Sequence, residues 1–338
     1  MSESLIKLSF SLNWRDDLLI NIVIPTYNRK ENLLFLLNHL SNLDNSQIGI
    51  IVLDNNSDNF ITEFDICTLK NRDVRIKLYR NALHLGPDAN ILRAIELANS
   101  AWIYLLGDSR IPNLESLNQF VFNSKSYIDY SAIVYSFDFK FNSDIAVNSL
   151  NQYFNLKAKF GDILLVGNVI INKKAVYKFY SIATQFTLSR SVLPVFIILS
   201  LNDKQNVLFK NQVLISYTLN KPIYYDPKLS LLECWAQFSL LINLPINFKY
   251  LPELNKHIIE NENFQNRKIL FKFCLIKIFR DRLDISQNLK FILNYRYVYH
   301  NNLLEMIMIY FLYFLSFSVK PFFGLLKHTS INNKNDDK

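Results

Sequence analysis

Three short apolar runs, each closed by a polar cluster, constrain this chain more than any other feature. The run INIVI at 20–24 stops at Pro25, Thr26 and Tyr27. The run GIIVL at 49–53 stops at Asp54-Asn55-Asn56-Ser57-Asp58, and WIYLL at 102–106 stops at Gly107-Asp108-Ser109-Arg110. Helical spacings lie between them: Leu33, Leu34, Leu36, Leu37 and Leu40 share one face of 30–43, and Ile91, Leu92, Ile95 and Leu97 populate 88–98. Residues 74–79 alternate with period two, and 133–136 read as a further strand. Strand and helix in strict succession imply parallel pairing with right-handed crossovers. Ligands bind such sheets beyond the carboxyl ends of the strands. The three polar clusters are therefore expected to converge on one crevice.

Half of the 338 residues are hydrophobic, enough for one large domain or two modest ones. The formal charge of +8 favours anionic partners. No helix-turn-helix, RRM or finger pattern accompanies it, so nucleic acid is not expected as a partner. Cys67, Cys234 and Cys274 form no C-x-x-C pair, which argues against a zinc site or disulfide framework and fits a reducing compartment. The N-terminus has no clean apolar segment of the secretory kind. Beyond 160 the pattern changes: 163–171 is apolar, 173–182 and 192–201 are expected as helices, 207–219 and 223–225 as extended segments, and 229–241 as a helix. From 264 the chain reads as helical. Residues 251–338 carry 13 Lys and Arg against 8 Asp and Glu. The segment 303–319 holds one charge, Glu305, and is shorter than the roughly 20 apolar residues of a spanning helix. Spanning, interfacial and buried-bundle readings of it stay open.

The motifs 22–29 (IVIPTYNR), 51–58 (IVLDNNSD), Asn81 with Gly86 and Asn90, and 102–108 (WIYLLGD) occur in this order. Together they resemble the family-two glycosyltransferases of GT-A fold, above all bacterial enzymes that build capsule, O-antigen or lipooligosaccharide chains. The likeness covers residues 18–125 and fades beyond 160. It implies an α/β fold, a mostly parallel sheet flanked by helices, to which the chain's own pattern adds a helical C-terminal extension. The implied limits are 18–255 for the GT-A domain, divided into a nucleotide-sugar-binding half (18–125) and an acceptor half (126–255). A helical extension at 256–330 and a disordered tail at 331–338 follow. The resemblance also implies a UDP- or dTDP-sugar donor, a glycan or lipid-linked acceptor, a divalent Mg or Mn ion and inversion at the anomeric carbon. Carried over residue by residue, Pro25, Thr26 and Tyr27 belong to the donor site, with Pro25 and Tyr27 bordering the nucleobase. Asp54 accepts from the base, Asn90 joins the donor set, and Asp108 lies near the ribose and the metal-bound diphosphate. Turn capping by Asp54 and helix capping by Asn90 are the alternatives.

Two departures from the family pattern stand out. Members usually follow the first acid with others, whereas Ser109 and Arg110 follow Asp108 here. Asp108 alone then serves as metal ligand, with reduced affinity, and Arg110 is expected to pair with the diphosphate as the leaving group gains charge. Exposure of Arg110, or pairing with Glu115, is the other reading. The usual Glu-Asp pair supplying the base is also missing: 186–196 reads FTLSRSVLPVF. Asp162 and Glu233 remain as candidate bases. A catalytically inactive relative that binds a nucleotide sugar or glycan and supports a partner enzyme is the alternative function. The basic, apolar C-terminal helices are expected to hold the protein at the inner face of the cytoplasmic membrane.

Overall fold

The computed structural model describes residues 6–43, 46–69, 73–135, 142–156, 158, 160–187, 191–219, 241 and 243–254. They belong to one compact unit of the chain, residues 1–223 and 241–262. Glu233, the segments 223–225 and 256–330, the tail 331–338 and all but the last residue of 229–241 lie outside the described residues.

Eleven strands are present among the described residues: β1 Ile6–Leu12, β2 Ile20–Thr26, β3 Ile48–Asp54, β4 Ile76–Asn81, β5 Trp102–Leu105, β6 Arg110–Pro112, β7 Tyr130–Tyr135, β8 Ile145–Val147, β9 Val169–Asn172, β10 Asn206–Lys210 and β11 Ile215–Thr218. The helices are α1 Lys30–Leu40, α2 Glu63–Cys67, α3 Pro87–Leu97, α4 Leu114–Asn123, α5 Leu150–Asn155, α6 Phe160–Leu164, α7 Lys173–Tyr177, α8 Tyr180–Gln185 and α9 Val192–Asn202. Nine strands form one sheet in the order β1-β4-β3-β2-β5-β9-β7-β10-β8, and β11 pairs with β6 in a small second sheet. The strands β4, β3, β2 and β5 run parallel to one another, while β1 at the edge and β9 beside β5 are antiparallel to them.

Burial explains the apolar runs. All seven residues of β3 are buried, and β2 is buried at every position but Pro25. Central strands covered by helices on both faces lose the alternation seen in half-exposed sheets. Helix α1 applies Leu33, Leu36, Leu37 and Leu40 to this core. Helix α9 is buried from Val192 to Leu201, as an all-apolar helix must be.

Three sequence expectations differ from the fold. The helix expected over 173–182 is two short helices, because the chain closes a tight turn where the Phe179 amide donates to Val176. The extended segment 207–219 is interrupted, and its halves, β10 and β11, serve different sheets. The edge strand β1 was not anticipated at all. It is exposed or half-buried along its whole length, so no apolar run announces it.

One divergence of sheet order from chain order positions the site. From β2 the chain moves outward to β3 and β4, then returns by α3 to lay β5 on the opposite side of β2. This reversal opens a crevice at the carboxyl ends of β2 and β5, the position where open α/β sheets bind ligands.

Candidate functional site

The loop after β2 crosses that crevice. Thr26 Oγ1 donates to Asp108 Oδ2 at 3.0 Å, and Arg29 Nη1 donates to Asp108 Oδ1 at 2.9 Å. The Asp108 side chain is 6% exposed and that of Arg29 26%. Both carboxylate oxygens thus hold partners from a loop about 80 residues earlier in sequence. The turn that carries Asp108 is clamped from the other side: Arg110 N–H donates to Gly107 O at 2.9 Å, and Leu219 N–H donates to Ser109 O at 2.8 Å. The pairing of β11 with β6 continues this clamp.

A second set of contacts joins the loops after β2, β3 and β4. Asp54 is buried at the end of β3. It accepts from the Ser57 amide at 2.9 Å and from the Ser57 hydroxyl, while Arg80 Nε lies 3.5 Å from its Oδ2. The capping expected as an alternative for Asp54 is therefore present. Ser57 Oγ accepts from Asn28 N–H at 2.8 Å, and Asn28 Oδ1 accepts from Asp58 N–H at 2.9 Å. Asn28 and Asn56 take positive φ values of 52° and 66°. Asparagine enters that region with less penalty than other side-chain-bearing residues.

Asn55 is the hub. Its amide donates to Thr26 O at 2.9 Å. Its Oδ1 accepts from Asn81 Nδ2 at 3.1 Å and from Leu85 N–H at 3.0 Å, and its Nδ2 donates to Gly86 O at 3.2 Å. Asn81 Nδ2 also donates to Asn90 Oδ1 at 2.8 Å. Asn90 is buried in the first turn of α3, three residues past Pro87, so it braces Asn81 rather than capping the helix. Gly86 precedes α3 with φ 82°, a conformation that favours glycine.

At the rim Tyr27 and His84 pack ring against ring, with centroids 4.3 Å apart and planes tilted by 47°. Tyr27 is 42% exposed, an aromatic surface open to a ligand. Beside Asp54, the Arg80 guanidinium lies 3.8 Å from the Phe60 ring centre. Tyr27, Asp54 and Asp108 thus belong to one linked rim, with Pro25 and Thr26 at the end of β2.

Arg110 stands on β6, where its Nη1 donates to Thr218 Oγ1 at 2.9 Å. Glu115 instead accepts from Gln119 at 3.3 Å. Burial pulls the Arg110 guanidinium below its ordinary pKa, partly opposed by Tyr104. A guanidinium remains a cation under any such shift. Asp162 lies on α6, which leads into β9, and is buried. It sits near Tyr153, whose phenol burial already raises well above its usual value and which the Asp162 charge raises further.

The donor set does not fit a divalent ion held by protein ligands. Among the described residues no three His, Cys, Asp or Glu side chains gather. The one carboxylate at the turn, Asp108, already carries Arg29 on Oδ1 and Thr26 on Oδ2. An ion there would face the Arg29 guanidinium across a single carboxylate. Sequence reasoning missed Arg29, Asn55 and Asn81 as site residues. Arg29 is in the quoted motif PTYNR, but nothing in its neighbours signals a partner so distant along the chain.

The chain matches the family described as glycosyl transferase family 2 over residues 21–141. It is 35% identical over 125 residues to the abequosyltransferase RfbV of Salmonella typhimurium, a stretch covering 36% of this chain and 36% of that relative. Structures of S. aureus TarS, residues 1–349, share the fold. The complex with UDP-GlcNAc superposes with a TM-score of 0.56 at 14% identity, over 83% of this chain and 82% of that one. The complex with UDP gives 0.54 at 13% identity, over 83% and 80%. Residues 21–141 are a glycosyl transferase family 2 domain, built on the GT-A fold.

Proposed function

We propose that this chain transfers one sugar from a UDP- or dTDP-sugar to a bacterial surface glycan or its lipid-linked precursor, of the capsule, O-antigen or lipooligosaccharide kind, with inversion. One observation carries the reading: Thr26 and Arg29 of the β2 loop meet Asp108 after β5, across the point where strand order reverses. Support comes from the abequosyltransferase relative, which the chain matches over 36% of that protein's length.

In this reading Tyr27 and His84 offer a ring surface to the nucleobase, and Pro25 fixes the loop that carries Tyr27. Asp54, at the end of β3, is the proposed acceptor for the base, sharing its carboxylate with the two Ser57 donors. Asn90 acts indirectly, by holding Asn81 and through it Asn55. Arg29 and Arg110 flank Asp108 and face the diphosphate. As the acceptor oxygen bonds to the anomeric carbon, the bond to the diphosphate breaks and its electron pair leaves with the phosphate. The acceptor proton passes to a carboxylate, for which Asp162 and Glu233 are the candidates. The divalent Mg or Mn ion that the resemblance implies has no part in this reading, because the Asp108 oxygens already carry Arg29 and Thr26.

The domain limits proposed are those of the sequence: 18–255 with halves at 18–125 and 126–255, then 256–330 and 331–338. The C-terminal basic and apolar segments are proposed to hold the enzyme at the inner face of the cytoplasmic membrane. No helix among the described residues is long and apolar enough to cross one. A second reading, a donor-binding relative without turnover, is favoured by the burial of Asp162 beside Tyr153.

Scanning fluorimetry against a panel of nucleotide sugars, followed by hydrolysis and transfer assays with labelled donor, tests both readings. Binding with turnover supports the enzyme. Binding without turnover on any acceptor supports the inactive relative, and no binding removes both. Tyr27→Ala is expected to weaken uridine or thymidine nucleotide binding about 10-fold, since ring stacking on a base contributes roughly 1–3 kcal/mol and 1.4 kcal/mol is a factor of ten. Isothermal titration of the variant checks this, and unchanged affinity would place the base elsewhere.

A further inference from the structure

We infer that Arg29, held by Asp108, is the diphosphate-binding cation of this domain, and that nucleoside diphosphate binds without a divalent ion. This deepens the donor reading and rests on it.

The first argument is the state of the carboxylate. A lone acid that served as an ion ligand would not also spend its charge on a guanidinium. Asp108 instead has Arg29 Nη1 at 2.9 Å on one oxygen and Thr26 Oγ1 at 3.0 Å on the other. Neither neighbour that follows it is acidic, and among the described residues no group of three His, Cys, Asp or Glu side chains gathers. The second argument is what Asp108 does for Arg29. An arginine side chain loses much rotamer freedom when it is fixed. Pairing with Asp108 settles that loss before a ligand arrives, and a guanidinium has five N–H donors, so contact with one carboxylate oxygen leaves others for phosphate oxygens. The third is location. Arg29 immediately precedes α1, a helix of 11 residues that starts with no side-chain cap. The uncapped amides and the positive end of the helix dipole favour an anion in the same place. The fourth is a second cation two residues past Asp108. Arg110 is partly buried and donates to a neutral hydroxyl, Thr218 Oγ1, so that contact leaves its charge uncompensated for an anion. Asp108 in this arrangement is a positioning residue, and Arg29 is the group that touches the donor.

The test uses the full chain, with UDP, dTDP and uridine as probes, each titrated in EDTA and again in MnCl2. The wild type is expected to bind the preferred diphosphate with the same affinity, within about threefold, in both buffers. Arg29→Gln is expected to weaken the diphosphate about 10- to 100-fold, the range that charge-assisted hydrogen bonds of roughly 1.5–3 kcal/mol imply, and to leave uridine within about threefold. Arg29→Lys keeps the charge and is expected to recover most of the loss. The uridine titration also reports whether a variant has kept its fold. Diphosphate binding that appears only with MnCl2, or a Gln variant that binds UDP as the wild type does, overturns the inference and leaves the donor reading standing. Failure of the wild type to bind either diphosphate in both buffers overturns the donor reading and this inference with it.

Discussion

Asp108→Asn is expected to lower sugar transfer by about 10²- to 10³-fold, the range seen when one preorganised electrostatic contact to a transition state is lost. The substitution keeps the volume of the side chain and changes its chemistry. A carboxylate accepts from Arg29 and Thr26 at once. An asparagine has only one oxygen to offer. Its amide nitrogen must face either the guanidinium, where donor meets donor, or the Thr26 hydroxyl. In the first case Arg29 is released from its position. In the second it keeps a neutral partner and loses the charge that orients it. Either way the group that meets the leaving diphosphate is less well placed as charge develops. The loss should therefore fall mainly on kcat, with a smaller rise in KM for the donor. Thr26→Val removes only the hydroxyl contact and leaves the ion pair, and is expected to cost about tenfold, the low end of the roughly 1.5–3 kcal/mol of a hydrogen bond to a charged group. Steady-state kinetics of the three proteins with the donor identified by fluorimetry decide the matter. Equal kcat for wild type and Asp108→Asn would remove the carboxylate from the reaction.

The strands that build this site were legible because burial on both faces forces an apolar run. β2, β3 and β5 each show one, and each ends where a polar cluster begins. The convergence of those clusters followed from parallel connectivity alone. The cation that meets Asp108 did not follow. Arg110 is two residues away in sequence, yet its guanidinium turns to Thr218. Arg29 is 79 residues away and makes the ion pair. A pairing of that separation is set by the register of two strands, and no local pattern reports register across a crossover. Asn55 was hidden for a different reason. In the cluster 54–58 every residue suits a turn, so composition marks the loop without distinguishing the residue that ties it to its neighbours. Asp54 drew notice as an acid, and its role as the acceptor of two Ser57 groups is the ordinary one for that setting.

Asn55→Ala is expected to destabilise the domain by about 3 kcal/mol, because it removes three side-chain hydrogen bonds at about 1 kcal/mol each. All three bridge separate segments. Asn55 Oδ1 accepts from Asn81 at the end of β4 and from Leu85 in the loop beyond it, and Nδ2 donates to Gly86 O at the start of α3. The alanine leaves an Asn81 amide group, which is buried, short of one acceptor. Water can reach Leu85 and Gly86, which are half-buried, and this keeps the loss near the sum of ordinary bonds. The melting temperature should fall by about 6–12 °C, on the scale of roughly 2–4 °C per kcal/mol for a domain of this size. Asn55→Asp separates the contributions. A carboxylate still accepts from Asn81 and Leu85 but has no donor for Gly86 O, and it sets a charge against that carbonyl. It should fall between wild type and alanine. The consequence for the site exceeds the loss of stability. The β4–α3 loop carries His84, which packs against Tyr27, so releasing Leu85 and Gly86 frees one wall of the nucleobase slot. Nucleotide affinity of the alanine variant should drop even at temperatures where it remains folded, as shown by an unchanged far-ultraviolet circular dichroism spectrum. Native affinity in a folded Asn55→Ala protein would mean that the loop holds its place through backbone contacts alone.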